Sequence, residues 1–131
     1  MAGSLKDAYK NIVLEALFRN VDYASTATFM ALYTSAPTDS AAGTEVANAG
    51  SYARQAITFG AASGGSMTNS SAVTFPQATA DWGTVTGFAI VDSATYGGGN
   101  QIAYGDITPN QSIPSGVTAS FAISAITCTQ T

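Results

Sequence analysis

The sequence predicts a mainly-β protein: a single β-sandwich or jelly-roll-like domain of about seven strands, led by one N-terminal α-helix. Three observations predict it. Helical spacing of apolar residues is confined to residues 4–20. Beyond residue 20, short apolar runs alternate with period two. Clusters of Gly, Pro, Asn and Asp separate those runs. The chain has 131 residues, enough for one domain with its own core. No strict internal repeat or linker appears, so the expected division is an amphipathic helical arm, 1–20, and a β-sandwich domain, 21–131.

Residues 4–20 carry the helix. Ser4 is placed to cap it, and Asp7 follows three residues on, near the positive end of the helix dipole. Leu5, Tyr9, Ile12, Ala16 and Leu17 form one apolar stripe, widened by Val13. Lys6, Lys10 and Glu15 fall off the stripe, and Arg19 lies in the last turn, where a cation is favoured. The polar segment 20–25 follows. The stripe therefore either packs on the chain's own sheet or docks on a partner, and its five residues are candidate interface positions. Deleting 1–20 is expected to leave a folded β domain that no longer joins its assembly.

Residues 28–34 place Phe29, Ala31 and Tyr33 opposite Met30, Leu32 and Thr34. Both sides are largely apolar, which predicts a central strand. Residues 35–38 end it, and 39–51 read as a long small-residue loop. Residues 53–59 alternate again, until 60–65 break the pattern. A short strand at 72–75 stops at Pro76, and Trp82 in the turn Asp81-Trp82-Gly83 is expected to cover one end of the core. Residues 84–92 and 101–107 predict a hairpin around the tip Gly97-Gly98-Gly99. Pro109 and Ile113-Pro114-Ser115-Gly116 make the next turn, and 117–127 form the last strand. Phe29, Ile57, Phe88, Ile90, Phe121 and Ile123 are expected to be buried together between two sheets.

The side chains offer little chemistry. The chain has no histidine, which excludes Ser–His and Cys–His catalysis and the commonest zinc sites. Its carboxylates are scattered through turns and the helix. Gly97-Gly98-Gly99 lacks the Lys-Ser/Thr of a phosphate loop. Asp39 and Glu45 bracket a loop that is a calcium candidate, though their spacing misses the alternating ligands of a calcium loop. No catalytic residue, metal or cofactor is expected, and the protein reads as no enzyme. Cys128 is the single cysteine, so no intrachain disulfide forms; its strand context predicts a buried, inert thiol. The sequons at Asn69 and Asn110 read as chance matches. The first residues lack the apolar stretch of a signal peptide, and no run approaches the ~18 apolar residues of a membrane span.

Charge points to protein partners. Charged residues make up 9% of the chain, against about 25% in an ordinary domain, which predicts a surface that meets other protein, including copies of itself. Net charge is −4. Lys6, Lys10 and Arg19 are three of the 4 cations, and Arg54 is the only one beyond residue 20. That argues against wrapping nucleic acid. Arg54 is expected to bridge Asp81, Asp92 or Asp106, or to anchor an interface.

Several stretches in order carry a resemblance. Residues 5–20 are followed by Ala31-Leu32-Tyr33-Thr34-Ser35-Ala36-Pro37-Thr38-Asp39. Gly43-Thr44-Glu45-Val46 leads to Tyr52-Ala53-Arg54-Gln55. Val73-Thr74-Phe75-Pro76 leads to Trp82-Gly83-Thr84-Val85 and Phe88-Ala89-Ile90. Together they resemble a family of small phage virion proteins whose members often carry a loose "tail fibre protein" label. The resemblance covers nearly the whole chain. One departure is Gly87, where a His or similar polar residue is expected. The resemblance implies a non-enzymatic virion part, made in the host cytoplasm, whose partners are the major capsid protein or tail proteins. Its first reading is a capsid cement or decoration protein, an oligomer that stabilises the shell. The alternatives are a tail, tail-fibre or adaptor component, and a small glycan-binding module using Trp82, Tyr96 and Tyr104.

Overall fold

A computed structural model describes residues 2–23 and 27–129. Its centre is the pair β2 (Phe29–Ser35) and β7 (Thr84–Val91), antiparallel with Leu32 opposite Phe88 and Met30 opposite Ile90. Both strands are buried on two faces, as their doubly apolar alternation requires. Met30, Leu32, Phe88 and Ile90 point into the main core, while Ala31, Tyr33, Ala89 and Val91 form a second buried cluster on the opposite face.

The sheet runs β3 (Thr44–Glu45), β2, β7, β8 (Gln101–Ser112), β1 (Ala2–Leu5), β10 (Thr127–Thr129), β5 (Ser66–Thr68), and β4 (Gln55–Ala56) also pairs with β2. Every pairing is antiparallel except β1 with β10. The sheet is rolled. Ala56 pairs with Phe29, Phe59 bridges Asn69, and the Gly60 amide donates to the Thr68 carbonyl at 2.9 Å. The bonded path from β5 thus returns to β2. A two-stranded sheet of β6 (Val73–Thr74) and β9 (Ser120–Phe121) packs Val73, Phe75 and Phe121 onto the same core. The architecture is the expected mainly-β, sandwich-like domain with one N-terminal helix. Trp82 lies in the core, 5% exposed, with its indole N–H on the Gly50 carbonyl at 2.8 Å.

The N-terminal residues depart from expectation. Residues 2–5 are a strand held on both edges, by β8 and by β10. The helix α1 is Asp7–Phe18, with Lys6 at its N-cap, so Ser4 caps nothing. The physical reason is backbone fit. A Cβ at Gly3 would meet the Tyr104 carbonyl at 2.8 Å, so glycine lets the chain slide between two strands, and Leu5 then packs on the core. The arm drawn at 1–20 is therefore part of the sheet over residues 2–5. Of the polar segment 20–25, residues 24 and 25 lie outside the described residues.

The ten named strands exceed the expected seven. β3 and β5 are pairs and triplets of residues too short to show alternation. The strand expected at 117–127 is two strands, interrupted by Ser124 at φ 65. β8 continues through Pro109, where its register against β7 shifts between Val85 and Gly87; an irregular ladder tolerates a residue without an N–H. Of the expected core, Ile57, Phe88 and Ile90 are buried together, and Phe121 packs beside them partly buried. Phe29 belongs to the second cluster. Ile123 is 62% exposed, because its segment is turn rather than strand.

Candidate functional site

The helix carries two apolar stripes. Tyr9, Ile12 and Val13 face inward and, with Leu5, Tyr23, Thr28 and Ile102, line a shallow pocket of about 250 Å³. A second stripe at spacing i, i+3, i+4 faces solvent: Leu14, Leu17 (71% exposed) and Phe18 (79% exposed), and Val21, past the helix end, is exposed as well. Asn20, at φ 55, turns the chain out of the helix, and the Val21 amide returns to the Glu15 carbonyl at 3.3 Å. No residue of the helix is fully buried.

The start of the helix is tied down by its cations. Lys6 Nζ donates to the carbonyls of Thr38 (2.5 Å) and Ala41 (2.7 Å), and sits 5.7 Å from the centre of the Tyr104 ring. Lys10 Nζ lies 3.1 Å from Asp39 Oδ1, which also accepts from the Tyr104 hydroxyl at 2.8 Å. Those hydrogen bonds hold the Asp39 carboxyl below its usual 3.8. The bond to Asp39 holds Lys10 above 10.5, whereas burial lowers Lys6. Arg19 bridges Glu15 at 2.7 Å. All three cations of this region are thus engaged within the chain.

Arg54 is buried among the chain's own groups. Its Nε and a terminal nitrogen grip the two Glu45 oxygens at 3.0 and 2.9 Å, and its other terminal nitrogen donates to the carbonyls of Ser93 and Gly98, both at 2.9 Å. The Tyr52 hydroxyl donates to Glu45 at 2.6 Å and accepts the Leu32 amide at 3.0 Å. This network ties the hairpin tip to β2 and β3. The bridge expected for Arg54 exists, with Glu45 and not with Asp81, Asp92 or Asp106. The sequence does not announce Glu45 as the partner of Arg54, because Glu45 lies in an apparent loop nine residues before it.

The structure brings Leu5, Tyr9 and Ile12 together on the inner face, and leaves Ala16 and Leu17 exposed elsewhere on the helix. Sequence reasoning does not single out Leu14 and Phe18, though their helical spacing with Leu17 is visible, or Val21, which lies past the helix end. Asp39 and Glu45 both turn onto donors of the chain, and among the described residues no group of three or more His, Cys, Asp or Glu could hold a metal. Cys128 packs against the core, and burial pushes its thiol up to about 11. The Asn69 side-chain amide donates to the carbonyls of Ser71 and Ala122. Trp82 is too buried to offer its face to a sugar. A Cβ at Gly87 would meet Ala36 at 2.6 Å, which closes that position to any side chain.

A rolled β body that carries an apolar helix stripe to solvent and turns Asp39 and Glu45 onto its own donors has the make-up of a small structural protein. The particular family follows from comparison. A family model described as Podophage GP4 fiber I protein gp80 matches residues 4–129, and the chain belongs to that family. Among curated proteins, none matches the chain. The protein is a fibre-type virion protein of a bacteriophage, and its setting is contact with other virion components. No helix among the described residues is long and apolar enough to cross a membrane.

Proposed function

We propose that the protein is a non-enzymatic subunit of a phage tail fibre, attached to its neighbours by apolar burial through the outer stripe of α1. Family membership favours the fibre over the capsid-cement reading. The observation that carries the mode of attachment is the exposure of Leu14, Leu17, Phe18 and Val21 beside cations already engaged within the chain. An apolar stripe of this kind, left in water, marks a contact surface. Leu5, Tyr9 and Ile12 support it from behind by seating the helix, and Ala16 borders it. Arg54 serves the interface only by holding the hairpin tip. The partners are other tail proteins and further copies of the chain, with no nucleic acid. Synthesis takes place in the host cytoplasm.

Copy number tests the fibre assignment. Quantitative mass spectrometry of purified virions is expected to give counts on the scale of tail subunits. A count on the scale of the major shell protein would restore the cement reading.

A further inference from the structure

β8 and β9 face each other across a groove that no strand fills among the described residues. The groove has a volume of about 650 Å³. Thr108, Gln111 and Ser112 wall one side, residues 117–121 the other, and Leu32, Val85 and Ile107 contribute the apolar floor. β1 pairs with β8 only as far as Gly105, and beyond it β8 pairs with β7 alone. β9 pairs with β6 alone.

The direction of the backbone groups follows from the ladders. The Phe75 amide donates to the Ala119 carbonyl, and the Ala78 amide to the Val117 carbonyl. Antiparallel pairing alternates, so residues 117, 119 and 121 address β6, while the N–H and C=O of Thr118 and Ser120 point away, toward the groove. On the facing wall the Ile113 amide donates to the Gly83 carbonyl, and the same alternation turns the backbone of Ser112 from β7 toward the groove. Two strand edges thus present pairing groups to one channel with an apolar floor. No residue lining it carries a charge. A charged occupant would lose hydration there and gain no counter-charge.

We propose that this groove, between the facing edges of β8 and β9, accepts an uncharged extended segment of a partner protein as an added strand. Main-chain bonds to both edges supply affinity, and apolar side chains at alternate positions of the segment pack on Phe121 and Val117, above the buried Leu32 and Val85. A compact ligand would fill the space but could not pair both edges along their length. The site is separate from the α1 stripe, so either can fail without the other.

The test is an NMR titration of the isotopically labelled full chain with the synthetic peptide acetyl-TVTVTVT-amide. Amide shifts are expected to be confined to residues 106–112 and 117–121, with exchange of the Ser112 and Ser120 amides slowed by about tenfold or more. N-methylation of alternate peptide positions is expected to weaken binding by about tenfold. Ser120→Pro removes a groove-facing N–H, spares the backbone bonds to β6 while losing the Ser120–Thr74 hydroxyl contact, and should abolish binding; Val117→Asp, at the mouth, does the same by charge, leaves that contact in place and serves if the proline variant unfolds. The proposal is overturned if millimolar peptide moves no amide, or if N-methylation changes nothing. It is also overturned if the same amides slow with protein concentration alone, which would make a second copy the occupant.

Discussion

Arg54 meets Glu45 in a pair whose side chains are 4% and 9% exposed, and every other contact of that guanidinium is a carbonyl of the hairpin tip. Removing one partner leaves a buried charge without its counter-charge. Arg54→Ala and Glu45→Ala are each expected to cost about 3–5 kcal/mol in urea unfolding, and replacing both by apolar residues is expected to cost less than either alone. The aromatic positions give a graded series. Phe88→Ala, at full burial, is expected to cost about 3–5 kcal/mol; Phe121→Ala, half-buried, should cost less; Ile123→Ala should stay within about 0.5 kcal/mol. Equal losses at Phe88 and Ile123 would contradict the burial pattern. The residue scale also shows what a sequence conceals. Burial of Trp82 and of the β2 and β7 faces was legible, because bulk and alternation state it directly. The partner of Arg54 was not, since an ion pair depends on which loop folds over which strand. Nor was the closure of Gly87 by Ala36, a contact between residues fifty-one apart.

At the scale of elements, residues 2–5 and the helix that follows have different fates. Deleting residues 1–20 removes a strand bonded on both edges. It is now expected to abolish cooperative unfolding in circular dichroism, where sequence reasoning alone expected a stable domain to remain. The paired changes Leu17→Glu and Phe18→Glu should leave the unfolding midpoint nearly unchanged, because both side chains already lie in water. The helix tether responds to pH. Asp39 is held below 3.8, so its contribution is present above that value and is lost as pH falls through its folded value. Lys10 is held above 10.5, so its contribution is present below that value and is lost as pH rises through its folded value. Between 3.8 and 10.5 the tether holds. Acidification below 3.8 should lower the amide protection of α1, relative to the intrinsic exchange rate at the same pH, before that of the sheet, and Asp39→Asn should remove that step. Elements of seven or more residues declared themselves by period. β3 and β5, of two and three residues, hold their place through neighbours that no local pattern announces. Within the helix, a stripe drawn as one ribbon proved to be two faces, since only tertiary contact decides which face turns inward.

At the scale of the whole molecule, 9% charged residues and basic groups engaged internally support the proposed attachment by burial. Raising salt from ~0.1 to ~1 M screens ionic contacts yet strengthens or spares apolar ones. The protein is therefore expected to stay on purified particles through that wash and to leave in mild denaturant; release of most copies by salt alone would show that charge holds it. The mainly-β class was legible because composition and turn spacing are properties of the entire chain. The rolled path was not, because residues 2–4 lie beside residues 127–129 in the only parallel pairing of the described sheet. That juxtaposition reaches back to synthesis. Residues 2–4 acquire this second neighbour only when residues 127–129 have left the ribosome, so a chain interrupted before them has no way to seal its own wall. Reaching β10 thereby becomes a condition of shape, and a particle that selects subunits by shape also selects those translated through it. Chains stopped before residue 126 should leave the β1 amides that face β10 unprotected from exchange, while those that face β8 stay protected, and protection equal to that of the full chain would show that closure does not wait for β10.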